Sequence, residues 1–189
     1  TRTIVIDPGH GGSKTVGGSS PNNATGPTGL LEKEAILDLA LRVKAHPALL
    51  AYRVLMTRET DVNVGINDRA RVARDNKAHA FVSIHFNGFN DPRVQGTEAW
   101  IGDGGPPECK LLARGLLDRL VAANGLKDRG VKVATSNEYG VVNPANQLST
   151  TAYTLLEVSF MTDPVEEARL RKGAYLDQLA GAIALGIDD

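Results

Sequence analysis

The sequence predicts an α/β fold: a single domain with a twisted, mostly parallel sheet of about six strands and helices on both faces. Two observations support this prediction. Short apolar runs alternate with longer segments of helical apolar periodicity along all 189 residues, and parallel strands need such crossover helices to return to the same end of a sheet. Neither an internal repeat nor a linker interrupts the alternation. We therefore expect residues 1–189 to form one domain.

Six segments have the composition of buried or half-buried strands. The first of them is ended by Pro8 and Gly9, residue types that are common where strands end. The predicted strands are residues 3–7, 52–58, 80–87, 96–101, 130–135 and 152–160.

The segments between these strands predict helices. Residues 30–45 have acidic residues early and basic residues late, as the helix dipole favours. We expect Asn67 to be the N-cap of a second helix, and a third helix to stop at Asn124 and Gly125. Two more helices close the chain. The apolar face of the last consists of Leu176, Leu179, Ala180, Ile183 and Ile187.

The charge balance argues against an electrostatic partner. The chain has 21 basic and 22 acidic residues, a net charge of −1, and only 5% aromatic residues. This composition does not favour nucleic acid, which needs a basic surface and stacking platforms. No segment approaches the roughly 20 apolar residues of a membrane span, so we expect no membrane insertion.

Cys109 is the only cysteine in the chain. A single cysteine excludes an internal disulfide and a cysteine-rich zinc site. It shares an apolar helical face with Leu112, Ala113, Leu116 and Leu120, which predicts a buried structural thiol and not a nucleophile.

The stretch "DPGHGGSKT" at residues 7–15 combines features of a phosphate loop and of a metal-binding loop. A phosphate loop needs one glycine directly before its lysine and another glycine five residues before the first. Here Ser13 precedes Lys14, and the earlier position is Pro8, which has no N–H to donate. The spacing therefore excludes the phosphate loop and leaves His10, flanked by glycines, as a candidate metal ligand.

Three ionisable residues are predicted to meet at one edge of the sheet. His10 follows the first strand, His85 lies near the end of the third, and Glu157 lies near the end of the last. The carboxyl ends of parallel strands form the functional crevice of open α/β sheets. Glu32 or Glu34, at the start of the first helix, reaches the same edge. They lie about 200° apart around a helix, so only one can face the crevice, and residue chemistry alone does not choose.

Two imidazoles and one carboxylate are the ligand set of a catalytic zinc site with an open position for water. A carboxylate outside the ligand set, such as Glu157, would move a proton from water to the leaving group. Simpler interpretations remain: His85 as a core histidine, and Glu32 as a partner of the helix dipole. Asn87 is a candidate substrate contact. Asp7 would either orient a ligand histidine from behind or cap the turn after its strand.

The same stretches resemble the zinc-dependent N-acetylmuramoyl-L-alanine amidases of the type 3 family. The resemblance covers almost the whole chain and rests on "IVIDPGHGG", "GLLEKEAILDLALRV", "RVLMTRETDVNVGINDRARVARD", "AFVSIHFNG" and "LLEVSFMTDPVEEARL", in that order. It implies one zinc ion with His10, Glu32 and His85 as ligands, which selects Glu32 over Glu34. It also implies Glu157 as the catalytic residue.

The resemblance implies a catalytic amidase domain at residues 1–189. Its activity would be hydrolysis of the amide between N-acetylmuramic acid and L-alanine in bacterial peptidoglycan, and so the degradation or remodelling of cell wall. It further implies an extracytoplasmic location, either periplasmic or secreted to the cell wall. We also expect a monomer, with a regulatory protein or a separate wall-targeting domain as further partners. Two alternatives stay open: a zinc peptidase or deacylase acting on another cell-wall amide, and a catalytically dead wall-binding module.

Overall fold

The computed structural model describes residues 1–135 and 138–189, and it contains one six-stranded sheet with strand order β2-β1-β3-β6-β4-β5. All pairs are parallel except β4 with β6, which is antiparallel. The predicted mostly parallel sheet is thus confirmed. Its strands are β1 (Thr3–Pro8), β2 (Arg53–Met56), β3 (Ala80–Asn87), β4 (Thr97–Gly102), β5 (Asp128–Ala134) and β6 (Ala152–Phe160).

The helices follow the predicted order, with one corrected boundary. The second helix begins at Ile66 with Gly65 as its N-cap, so the prediction that Asn67 caps it is wrong. Asn67 instead lies in the first turn, and the N-cap has no side-chain hydrogen bond. The helices are α1 (Glu32–Lys44), α2 (Ile66–Asp75), α3 (Pro107–Asn124), α4 (Pro164–Leu170) and α5 (Gly173–Asp188). None of the helices in the described ranges combines the length and hydropathy needed to cross a bilayer.

Helices cover both faces of the sheet, as predicted, but unequally. On one face α1, α3 and α5 enclose the larger apolar cluster, which includes the alternate residues Val82, Ile84 and Phe86 of β3. The other face packs against α2 and contains Phe81 of β3. Helix α3 ends, as expected, with Gly125 in the left-handed conformation (φ 71°). Cys109 is buried, as expected, and its Sγ accepts a hydrogen bond from the backbone N–H of Tyr153.

The register of the central strands places polar residues on the face that α2 covers only in part. His85 of β3 pairs with Glu157 of β6, and Glu157 pairs with Glu98 of β4. Paired residues on neighbouring strands lie on the same face of a sheet. The site therefore begins as a row of polar side chains across three adjacent strands.

Candidate metal centre

His10 lies in the loop that leaves β1, with a left-handed backbone (φ 57°) that is uncommon for a residue with a side chain. Two buried arginines hold this loop by its carbonyl groups. Arg58 donates to the carbonyl oxygens of Pro8 and Gly9, and Arg69 donates to those of Pro8 and His10. The surrounding chain thus compensates for the strained backbone and fixes where the imidazole projects.

The imidazole of His10 is oriented by the far side of its own loop. Its Nδ1 lies 3.0 Å from the carbonyl oxygen of Ser20. A hydrogen bond from Nδ1–H to a carbonyl leaves Nε2 as the free acceptor nitrogen, which is the usual arrangement of a metal-binding histidine. Nε2 lies 3.3 Å from Oε1 of Glu32.

Glu32 is the first residue of α1 and is almost completely buried, with 1% of its side chain exposed. Its Oε2 accepts a hydrogen bond from the backbone N–H of Ala24. Its Oε1 faces both histidines and lies 3.2 Å from Nδ1 of His85. Glu34, the alternative left open by helix geometry, is exposed. The fold therefore turns Glu32, and not Glu34, toward the histidines.

His85 reaches the cluster because Gly9 has no side chain. A Cβ on Gly9 would overlap the imidazole of His85. The rings of His10 and His85 meet edge to face, with centroids 4.9 Å apart and an angle of 82°. One ligand atom from each of His10, Glu32 and His85 lies within 4.8 Å of the others, close enough for a single ion to contact all three.

The protonation states of the three residues depend on one another through Glu32. Burial raises the pKa of Glu32, but hydrogen bonds and charge from His10 and His85 outweigh it and lower that pKa to about 2. Burial lowers the pKa of His85, even though Glu32 opposes the shift. For His10, hydrogen bonding and charge from Glu32 outweigh burial and raise the pKa. The carboxylate is thus ionised, and His85 favours the neutral form that binds metals.

Glu157 lies beside this cluster on β6, with 7% of its surface exposed. Its Oε2 has no hydrogen-bond partner among the described residues. Burial, followed by the negative charges of Glu32 and Glu98, raises the pKa of Glu157 well above its usual value. A buried carboxyl without a partner is costly and is often a functional group. It is available to hold a proton close to the candidate ligands.

The two weaker candidates contact neighbours of the cluster. Asp7 accepts hydrogen bonds from Thr57, Ser83 and Arg69. Because Arg69 also binds the carbonyl of His10, Asp7 is linked to that histidine through the guanidinium. The side-chain amide of Asn87 donates to Oε1 of Glu98. Glu98 lies on β4, two strands away from the strand of His85. The role of Asn87 as a substrate contact and that of Asp7 in orienting a ligand histidine stay predictions.

Sequence reasoning missed Glu98 and its two cations. Glu98 is buried, and its Oε2 accepts from Nε of Arg129 (2.8 Å) and from Nζ of Lys132 (2.7 Å). A sequence signal existed, because a glutamate within the strand segment "GTEAWI" needs a partner if it is buried. Its position beside Glu157 follows only from the antiparallel pairing of β4 with β6.

Two imidazoles, one carboxylate and a separate buried carboxyl group, placed at the carboxyl edge of a mostly parallel sheet, are typical of metal-dependent hydrolases. Sequence comparison gives the family. The chain belongs to the N-acetylmuramoyl-L-alanine amidase family, whose model matches residues 4–189.

Individual relatives agree with this assignment. The chain is 31% identical over 182 residues to the N-acetylmuramoyl-L-alanine amidase LytC of Bacillus subtilis, covering 96% of this chain and 34% of LytC. It is 31% identical over 197 residues to the endolysin of Bacillus phage SPP1, covering 99% of this chain and 65% of the endolysin. The chain spans about a third to a half of the length of the first three curated relatives.

Solved structures show the same fold. The N-acetylmuramoyl-L-alanine amidase AmiC2 of Nostoc punctiforme is 32% identical with a TM-score of 0.83, covering 98% of this chain and 94% of that one. The catalytic domain of the amidase CwlV from Bacillus (Paenibacillus) polymyxa is 29% identical with a TM-score of 0.84, covering 99% and 96%. The fold class predicted from the sequence is thus that of known amidases.

Proposed function

We propose that residues 1–189 form a catalytic domain that hydrolyses the amide between N-acetylmuramic acid and L-alanine in peptidoglycan, using one zinc ion. The observation that carries the proposal is the cluster of His10, Glu32 and His85 beside the unpartnered carboxyl group of Glu157. Family membership supports the substrate, since LytC, AmiC2 and CwlV are named as N-acetylmuramoyl-L-alanine amidases.

The donor set fits zinc. Two imidazole nitrogens and one carboxylate oxygen from His10, His85 and Glu32 are a common protein ligand set of catalytic zinc sites, which keep a further position open. The three ligand atoms already lie within 4.8 Å of one another. The backbone carbonyl of Ser20 orients His10 through Nδ1, and the backbone N–H of Ala24 orients Glu32 through Oε2. A bound zinc ion supplies Lewis acidity toward the amide carbonyl and toward water.

The proton transfers fall to Glu157. Its raised pKa, caused by burial and by the charges of Glu32 and Glu98, makes its carboxylate a stronger base than an exposed glutamate. In the proposed reaction Oε2 of Glu157 takes a proton from the attacking water and delivers it to the nitrogen of the leaving L-alanine. Because Oε2 has no other partner among the described residues, it needs to break no hydrogen bond to do so.

The location and partners follow from the proposed substrate. Peptidoglycan lies outside the cytoplasmic membrane, so the proposed site of action is extracytoplasmic, either periplasmic or at the cell wall after secretion. We propose that the domain acts as a monomer on this wall. Regulation or targeting would come from another protein or a separate wall-binding domain.

The experiment is product analysis after digestion of purified peptidoglycan by the zinc-loaded chain. Muramic acid ends without peptide, together with free L-alanine amino ends, would support the amidase. New amino ends inside the peptide, or released acyl groups, would instead identify a zinc peptidase or deacylase. Retention on the wall without any released product would identify a catalytically dead binding module.

A further inference from the structure

The face of the sheet from which His85 projects carries a row of charged residues across four neighbouring strands. The row begins with His85 on β3, continues with Glu157 on β6 and Glu98 on β4, and ends with Arg129 and Lys132 on β5. The mechanism above uses the first two directly and Glu98 only through its charge. The far end of the row contains two cations that it does not explain.

The two cations are arranged by specific contacts. Both donate to the same oxygen of Glu98, and each lies over an aromatic ring, Arg129 over Phe160 (4.9 Å) and Lys132 over Trp100 (5.2 Å). Trp100 also donates to the other oxygen of Glu98. Stacking and ion pairing together restrict long side chains that would otherwise be free to rotate.

Glu98 does not neutralise both cations. One carboxylate balances only one of the two positive charges, and the charge of Lys132 also acts on the neighbouring Glu157. The side chains of Arg129 and Lys132 are 29% and 33% exposed, whereas that of Glu98 is 4% exposed. Arg129 binds Glu98 only through Nε, and within residues 1–135 and 138–189 its Nη1 and Nη2 have no hydrogen-bond partner. That free edge matches a carboxylate, which guanidinium binds through two parallel hydrogen bonds.

The position of the cations indicates which part of a substrate they meet. Neighbouring strands are about 4.8 Å apart, so β4, against which both cations pack, lies about 10 Å from the strand of His85. An extended peptide covers that distance in about three residues. In the proposed substrate the lactyl carboxyl is consumed in the scissile amide, so the remaining carboxylates belong to the peptide.

We propose that Arg129 and Lys132, held by Glu98, form a subsite for a carboxylate of the peptide about three residues from the scissile amide. This inference rests on the proposed amidase function and deepens it. Arg129 supplies the bidentate contact and Lys132 adds a second positive charge. The subsite selects peptides that carry a free carboxylate over peptides in which that group is amidated.

The test compares substrates that differ only in this charge. Muramoyl peptides of two to four residues are prepared with free carboxylates or with carboxamides, and are cleaved by the zinc-loaded wild type, Arg129→Gln and Arg129→Lys. Arg129→Gln is expected to raise KM roughly tenfold or more for the free acids, with little change in kcat and none for the amides. Arg129→Lys is expected to recover part of the loss, since it keeps the charge without the bidentate edge.

Arg42→Gln is the matched control, because Arg42 is 31% exposed and paired with Asp38 and Asp177 on α1 and α5, the helices of the opposite face. It should leave both KM values unchanged. Equal effects of Arg129→Gln on acids and amides, or none on either, would overturn the subsite while leaving amide cleavage intact. Zinc content and thermal unfolding, measured on every variant, identify a variant that has lost the fold.

A binding measurement separates this inference from the proposed activity. Calorimetric titration of L-alanyl tri- and tetrapeptides, as free acids and as amides, needs no cleavage. Tighter binding of the acids in wild type, lost in Arg129→Gln, would support the subsite even in a chain that cleaved no muramoyl amide. Equal binding of acids and amides by the wild type would contradict it.

Discussion

His85 on β3 and Glu157 on β6 are paired in register on adjacent parallel strands. The two side chains therefore leave the same face of the sheet from its two central strands. A site formed on paired strands is held more precisely than one built on loops. In this chain the candidate base is thus fixed relative to one candidate ligand by backbone hydrogen bonds, whatever the surrounding loops do.

The first prediction distinguishes the two glutamates at the start of α1. Glu32→Gln should lower zinc affinity by more than the roughly 10- to 100-fold typical of residues behind a ligand, because it removes the charge that faces both histidines. Its amide oxygen can still accept from Ala24, so the fold should survive. Glu34→Gln, an exposed change in the same turn, is the control and should bind zinc like wild type. Competition with a zinc-binding dye measures both affinities, and equal losses would contradict the ligand assignment.

The second prediction concerns the close approach of the β1 loop to His85. Gly9→Ala should weaken zinc binding and abolish turnover, because the new methyl group would occupy the position of the imidazole. Gly115→Ala in α3 is the matched control, since a Cβ there meets only a distant backbone atom. It should stabilise the protein by about 0.5–1 kcal/mol through helix propensity. Zinc titration and urea unfolding of both variants check this, and normal zinc affinity in Gly9→Ala would refute the expected clash.

The third prediction concerns the arginine that holds the His10 loop. Arg69 is 2% exposed and pairs with Asp7 at 2.8 Å. Arg69→Met should reduce the free energy of unfolding by about 3–5 kcal/mol, because it leaves a buried carboxylate without its cation. Arg71→Met on the same helix removes an exposed pair and should change stability by no more than about 0.5 kcal/mol. Urea unfolding of the zinc-free chains measures both effects, and similar values for the two variants would contradict the role of Arg69.

The fourth prediction is a pH dependence of stability. Burial raises the pKa of Asp7, but the charge of Arg69 and hydrogen bonds from Thr57, Ser83 and Arg69 outweigh it, so the pKa is lowered. A lowered folded-state pKa gives stability that is fully present above the unfolded-state value of about 3.9 and is lost as the pH falls through the folded-state value. Wild type should therefore lose this stability as the pH falls below about 4 and approaches the lowered folded-state value.

Asp7→Asn isolates this contribution. The variant should be less stable than wild type at pH 7, and the gap between the two should narrow as the pH falls, because Asn cannot lose a charge. Urea unfolding at several pH values, with a chelator present to remove metal effects, measures the gap. A gap that stays constant from pH 7 to pH 2 would show that the pKa of Asp7 is not lowered by folding.

Much of the fold was predictable because its strands and helices have distinct periodicities. The apolar strand at 80–87 and the helix stop at Gly125 are local signals, and the structure has both. The start of α2 was missed because Asn67 is a good N-cap residue in isolation, whereas Gly65 packs against Gly17 where the two backbones approach closely. No local pattern contains that long-range contact.

The candidate site was predictable where strand ends determine position. His10, His85 and Glu157 could be placed at one edge from topology alone, but the choice of Glu32 over Glu34 required the family resemblance. Helix geometry could not make that choice, because the side-chain direction depends on where the first turn begins. The positions of Glu98, Arg129 and Lys132 beside Glu157 depend on the antiparallel pairing of β4 with β6. No residue pattern in the sequence specifies that direction.

The central claim is that three residues bind a zinc ion while Glu157 moves the proton. Its most direct test is zinc content by elemental analysis of wild type, His10→Ala and Glu157→Gln, with amide cleavage of purified peptidoglycan assayed on the same samples. The account predicts about one zinc in wild type and Glu157→Gln but none in His10→Ala. Turnover should be lost in His10→Ala and fall roughly 10²- to 10⁴-fold in Glu157→Gln. Loss of zinc from Glu157→Gln, or full activity without zinc, would contradict it.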